Sequence, residues 1–212
     1  MLAPRRAVRS GDVLLSAAMW SWIVLTVGSV SICLLACGNS KRSSPDPVSD
    51  LLAQRVVVLR GEIDERAATE LIAKLLFLRG QDAVVPVRLQ IDSPGGEVIA
   101  GLAIRDTMDD IKLPVYTHCL SSAQGIAAVL LAHGARGHRT ATSMAQISFT
   151  PIASAGVSSA QDERARAKAI IVEMLAKDTG QNAQQLADDL QASRRFDGEQ
   201  ARSYGLIDRI GN

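Results

Sequence analysis

Apolar positions along the chain fall into three regimes. Val13 to Cys37 runs without a single charged residue. Gly38 to Asp50 is rich in Ser, Pro and charge, the composition of a linker. From residue 51 onward the pattern alternates between the two periods of regular structure. Arg55–Arg60 is a β-branched run closed by Gly61, which predicts a buried strand. Glu65–Arg79 places Ala68, Leu71, Ile72, Leu75, Leu76 and Leu78 at helical spacing. Val84–Ile91 is a second strand, broken by Ser93-Pro-Gly-Gly96, and Val98–Asp110 a second helix. Pro114–Cys119 reads as a strand, Ala123–His133 as a small-residue helix, and Ala145–Phe149 as a short strand. A charged helix over about Ser158–Lys177 follows, then short helices at Ala183–Ala192 and Glu199–Ser203 and a strand-like Leu206–Ile210.

Strands alternating with helices imply right-handed crossovers and a largely parallel sheet flanked by helices, an α/β fold. Loops at the carboxyl ends of such strands carry sites. Two loops qualify here, Asp92–Glu97 and Leu120–Gly125.

The pattern divides the chain into a front segment (1–37), a linker (38–50) and a body (51–212). As a helix, the uncharged run would span about 37 Å at ~1.5 Å per residue, enough to cross a hydrocarbon core of about 30 Å. Arg5, Arg6 and Arg9 ahead of it favour a cytoplasmic N-terminus and an extracytoplasmic body. The run ends in Leu34-Leu35-Ala36-Cys37-Gly38, which is similar to a bacterial lipobox, with Cys37 as the lipidation site. A retained signal anchor and a misassigned start site, which would leave the body cytoplasmic, are the alternatives.

Composition narrows the function. A net charge of +1 leaves no surplus of Lys and Arg to neutralise phosphates, so a nucleic-acid partner is not expected. Aromatic residues make up only 3% of the chain, and Trp20 and Trp22 both lie in the front segment, so base stacking is not expected either. Cys119 is alone in the body, which excludes a disulfide framework there and suits a buried structural thiol. No metal-ligand spacing is visible, and neither a metal nor a cofactor is expected.

Several ordered stretches then carry a resemblance. Ile91-Asp-Ser-Pro-Gly-Gly96, Ile104-Arg-Asp-Thr-Met108, Leu130-Leu-Ala-His-Gly-Ala-Arg-Gly-His-Arg139, Asp178-Thr-Gly-Gln181 and Tyr204-Gly-Leu-Ile-Asp208 resemble the Clp protease proteolytic subunit (ClpP) family. The resemblance implies the ClpP/crotonase fold of repeated ββα (βαβ) units and a serine endopeptidase ancestry. It also implies a Ser-His-Asp triad, in which an imidazole takes the serine proton and a carboxylate holds the imidazole.

Counting back without gaps from Leu130-Leu131, the nucleophile position is Gly125. The base position, in Ile147-Ser-Phe-Thr-Pro151, is Phe149. The acid position falls at Asp189, with Asp188 as its neighbour. Gly95 and Gly96 keep the oxyanion-type loop. The expectation is an inactive, membrane-tethered pseudopeptidase with an assembly or peptide-binding role. One alternative is an active peptidase with a displaced site built from Ser122 and His118. A lesser one is a crotonase-type acyl-thioester binder.

The resemblance also bears on partners. It implies a ring-like homo-oligomer, or a mixed oligomer with a related subunit. Where the family carries docking aromatics for an ATP-driven unfoldase, this chain has Arg88 and Gln90, which argues against that docking. Between Phe149 and Thr179 the chain is shorter than the family's handle, retaining Gly156 of its glycine-rich part.

Overall fold

The computed structural model describes residues 47–150 and 161–211. The front segment, Cys37, most of the linker and Gly156 lie outside the described residues. Among the described residues, no helix is long and apolar enough to cross a membrane.

The elements follow in the order α1 (Pro47–Ala53), β1 (Val56–Arg60), α2 (Glu65–Gln81), β2 (Val87–Ser93), α3 (Val98–Asp110), β3 (Val115–Gln124) and α4 (Ile126–Ala132). Then come β4 (Arg139–Ala141), β5 (Gln146–Ser148), α5 (Gln161–Thr179), α6 (Ala183–Gln191), β6 (Arg195–Phe196), α7 (Gly198–Tyr204) and β7 (Arg209–Ile210). The sheet runs β1-β2-β3-β4-β7, all parallel, with β5 paired to the far end of β3 and β6 antiparallel to β5. This is the largely parallel α/β architecture that the alternation implied.

Three boundaries differ from the sequence reading. Strand β2 starts at Val87, because the Asp82 carboxylate accepts hydrogen bonds from the Val84 and Val85 N–H groups and holds that stretch in a turn. Strand β3 continues through Leu120–Gln124, which the pattern had assigned to a loop and to the start of a helix. The reason is a change of partner. Ile91 pairs with Cys119 and Ser93 with Ala123, so β3 carries a bulge opposite Asp92. Beyond that bulge it leaves β4 and pairs Ser122–Gln124 with β5. The end of the linker and the start of the body form one helix, Pro47–Ala53.

One face of the sheet is sealed. Leu89, Ile91, Cys119 and Ala141 point into a core shared with Leu71, Leu75, Ile104 and Leu130 from the helices. Helix α4 is buried along its whole length. On the other face, Arg88, Gln90, Tyr116 and His118 alternate with the core residues and remain exposed or half-buried.

Two of the motif stretches meet through one ion pair. Arg139 donates from Nε and Nη2 to the two carboxylate oxygens of Asp208, at 3.0 and 2.7 Å. Its Nη1 donates to the carbonyls of Ala132, Asp178 and Gly205. The guanidinium thus ties α4, the end of α5 and the turn after α7 to β4.

Candidate functional site

The site forms where β3 turns sharply into α4. Gln124 ends the strand, Gly125 takes φ 55° and ψ −120°, and α4 starts at Ile126. Only glycine adopts that conformation cheaply. Turns of this strand-to-helix kind hold a nucleophile out over a sheet in hydrolases. Here the position has no side chain, and a Cβ built on Gly125 would collide with the Thr150 hydroxyl. The Gly125 N–H donates to Ser148 O at 2.9 Å, which fixes the turn against β5.

Beside the turn lies the Gly95-Gly96 loop. Ile63 N–H donates to Gly95 O at 2.8 Å, and Glu97 N–H donates to Ile63 O at 2.7 Å. The Gly95 carbonyl and the Gly96 N–H belong to one trans peptide and point opposite ways, so with Gly95 O on Ile63 the Gly96 N–H faces away from it. Both glycines are required by close approach. A Cβ on Gly95 would stand 2.6 Å from Gln124 O, and one on Gly96 would strike the Ile63 backbone. A groove of about 690 Å³ opens at the end of β3, lined by Gln124, Met144, Phe149, Thr150, Arg195 and Gln200 among others.

Phe149 is fully buried. Its ring packs edge-on to Phe196 at 5.2 Å and to Tyr204 at 6.1 Å. Its N–H donates to Arg194 O at 2.9 Å. Asp189 joins this cluster through Tyr204. Its carboxylate accepts from Tyr204 OH at 2.7 Å and from Arg194 Nη1 at 3.0 Å. Burial opposes its ionisation, but hydrogen bonds from Tyr204, Gln185 and Arg194 outweigh burial and hold the carboxyl below its ordinary range. The Arg194 guanidinium in turn covers the rings of Phe196 and Tyr204, at 5.0 and 5.1 Å from their centroids.

Ser122 and His118 are not brought together. They stand four residues apart on β3, roughly 13 Å at ~3.3 Å per residue. Ser122 donates to Asp92 at 3.4 Å, and Ser121 donates to the same carboxylate oxygen. The Ser121 hydroxyl first, then Arg60 and Ser122, hold Asp92 below the ordinary carboxylate range. His118 Nδ1 instead meets Thr140 Oγ1 at 2.7 Å, and burial lowers its pKa. Among the described residues no cluster of His, Cys, Asp and Glu could hold a metal.

The structure brings Gly125 beside the Gly95-Gly96 loop and sets Thr150 against Gly125 and Tyr204 against Phe149, with Arg194 between Phe149 and Asp189. Thr150, Arg194 and Tyr204 were not singled out from the sequence. Thr150 was adjacent to a flagged position, and Tyr204 lay in a quoted motif. Arg194 carried no sequence signal, since its role depends on α6 and β6 folding back beside β5.

The elbow at the carboxyl end of β3, faced by the Gly95-Gly96 loop, belongs to an α/β protein built on a mostly parallel sheet flanked by helices. A family model for Clp protease matches residues 38–212, and the chain belongs to the Clp protease family.

Proposed function

We propose that this chain is a pseudopeptidase of the Clp protease family, with an assembly or peptide-binding role and a tether to the membrane through residues 1–37. One observation carries the reading. The residue at the elbow is Gly125, and the space its side chain would need holds the Thr150 hydroxyl. The neighbouring groups support the same conclusion: Phe149 cannot accept a proton, and the Asp189 carboxylate is already engaged by Tyr204 and Arg194. Serine-type hydrolysis needs nucleophile and base acting as a unit. The separate hydrogen-bond commitments of Ser122 and His118 weigh against a displaced site.

The Gly95-Gly96 loop and the groove beside Phe149 keep the form of a peptide site. An extended peptide laid along the loop would receive the Gly96 N–H, as in strand addition. Exposed Leu76, Phe77 and Ile99 on α2 and α3 support self-association, in keeping with the ring assemblies of the family. Incubating the full-length chain with fluorogenic peptides and a serine-reactive fluorophosphonate tests the reading. No turnover above buffer and no adduct are expected. Covalent labelling of any serine overturns it.

A further inference from the structure

The loop before β2 stands at the end of the sheet where the strands begin, opposite the elbow. It reads Asp82-Ala83-Val84-Val85-Pro86, and Val84 is 80% exposed and Val85 44%. Turns favour Gly, Pro, Asn, Asp and Ser, so two adjacent valines are not there to make the turn. The fold holds them outward all the same. The Asp82 carboxylate accepts from the Val84 and Val85 N–H groups at 2.8 and 3.2 Å. Arg55, two residues past α1, donates to the carbonyls of Leu78, Asp82, Val85 and Pro86. The tip is thus ordered before it meets anything, which lowers the entropy cost of binding.

Cations stand beside this tip. Val87 N–H donates to Pro114 O and Ala135 N–H to Val115 O, so the loops before β2, β3 and β4 lie side by side. Lys112 and Arg136 are exposed on the second and third of them. Arg136 Nη2 donates to Lys177 O, which brings the exposed Lys177 to the same end. These three make no ion pair among the described residues. Of the carboxylates beside these loops, Asp109 and Asp178 are engaged by Arg105 and His133, and Asp82 by its own turn, while Asp110 at the end of α3 is exposed. Cations suit the carboxyl ends of helices in any case, but exposed valines next to them have no such reason.

We propose that this end of the body lies on an anionic lipid surface, with Val84 and Val85 dipping into the headgroup region and Lys112, Arg136 and Lys177 on the lipid phosphates. The proposal rests on the membrane tether in residues 1–37. Chain reach favours a bilayer over a protein partner. Residues 38–46 extend at most about 30 Å, and α1 carries the chain another ~10 Å towards Arg55, which grips the tip. So short a tether keeps the tip at high effective concentration over the surface, where weak contacts suffice. An apolar tip with basic neighbours matches the two forces that hold proteins at an anionic interface. The elbow at Gly125 lies past the other end of β3, roughly 33 Å along the strand at ~3.3 Å per residue, and so faces away from the bilayer.

Photocrosslinking of the full-length chain in vesicles of about 70% phosphatidylcholine and 30% phosphatidylglycerol tests this. The photoreactive residue p-benzoylphenylalanine replaces Val84 and, in a second preparation, Met144, which is 86% exposed at the elbow end. After flotation and irradiation, lipid adducts on each position are measured by mass spectrometry. They are expected about five-fold or more often at position 84 than at 144, and less often in phosphatidylcholine alone or with Lys112→Glu and Arg136→Glu together. A chain that does not float with the vesicles overturns the tether and this proposal together. A chain that floats but forms adducts equally at both positions overturns this proposal alone, as does position 84 crosslinking to a second copy of the chain in place of lipid. Indifference to both lipid charge and the paired reversals also overturns it.

Discussion

The Thr150 hydroxyl stands where a side chain on Gly125 would have to begin. Glycine at the elbow and threonine after Phe149 are therefore one packing unit. Gly125→Ser should cost about 1–3 kcal/mol, from the positive φ and the displaced hydroxyl. A lowered midpoint in urea denaturation checks it.

Serine at position 125 together with histidine at position 149 should not suffice for hydrolysis. Gly125→Ser with Phe149→His would put an imidazole next to Arg194, while Asp189 stays bound to Tyr204 and Arg194. No carboxylate is then free to hold the ring. The double variant is expected to show no hydrolysis of fluorogenic peptides. Turnover that depends on both substitutions would show that the Asp189 network can open.

Phe149 anchors the aromatic cluster with Phe196 and Tyr204. Phe149→Ala should destabilise the fold by about 3–5 kcal/mol, as for other large-to-small substitutions of buried aromatics. A thermal melt reads the loss.

Stability should fall in acid through Asp178 and Asp208. Burial raises both carboxyl pKa values, but His133 and Arg105 for Asp178, and Arg139 for Asp208, outweigh it and leave both below the ordinary value. A carboxyl depressed in the folded state stabilises above its unfolded pKa of about 3.9 and loses that contribution as pH falls through the folded value. The melting temperature should thus hold steady from about pH 7 to 5 and drop below about pH 4. Asp208→Asn should lower it at neutral pH and shallow the acid slope.

Burial, with Asp92 adding to it, pushes the Cys119 thiol up to about 12. At about pH 8 the native chain should leave Cys119 unalkylated by iodoacetamide, and unfolding in guanidinium should expose it. Peptide mass mapping separates it from Cys33 and Cys37.

Much of the frame was legible in the chain. Apolar periods gave α2, α3 and the strands flanking them, because each needs only its own residues to show which face is buried. The loop Asp92–Glu97 and the glycine and phenylalanine at positions 125 and 149 could be read from local motifs. The extension of β3 to Gln124 could not, since Ser121 and Ser122 look like turn residues until Asp92 and β5 are beside them. The same holds for Asp189, whose partners Arg194 and Tyr204 come from β6's approach and from α7.

By itself, then, the sequence determined the alternation of strands and helices and the glycine at the elbow, because periodicity and backbone freedom are local properties. Tertiary structure decided what stands against Gly125 and which face of the sheet stays open. Thr150 against Gly125, Tyr204 on Asp189, and Arg139 on Asp208 are meetings of segments far apart in the chain or folded back on one another. Such meetings depend on how β3 changes partner and where β5 and β7 join the sheet.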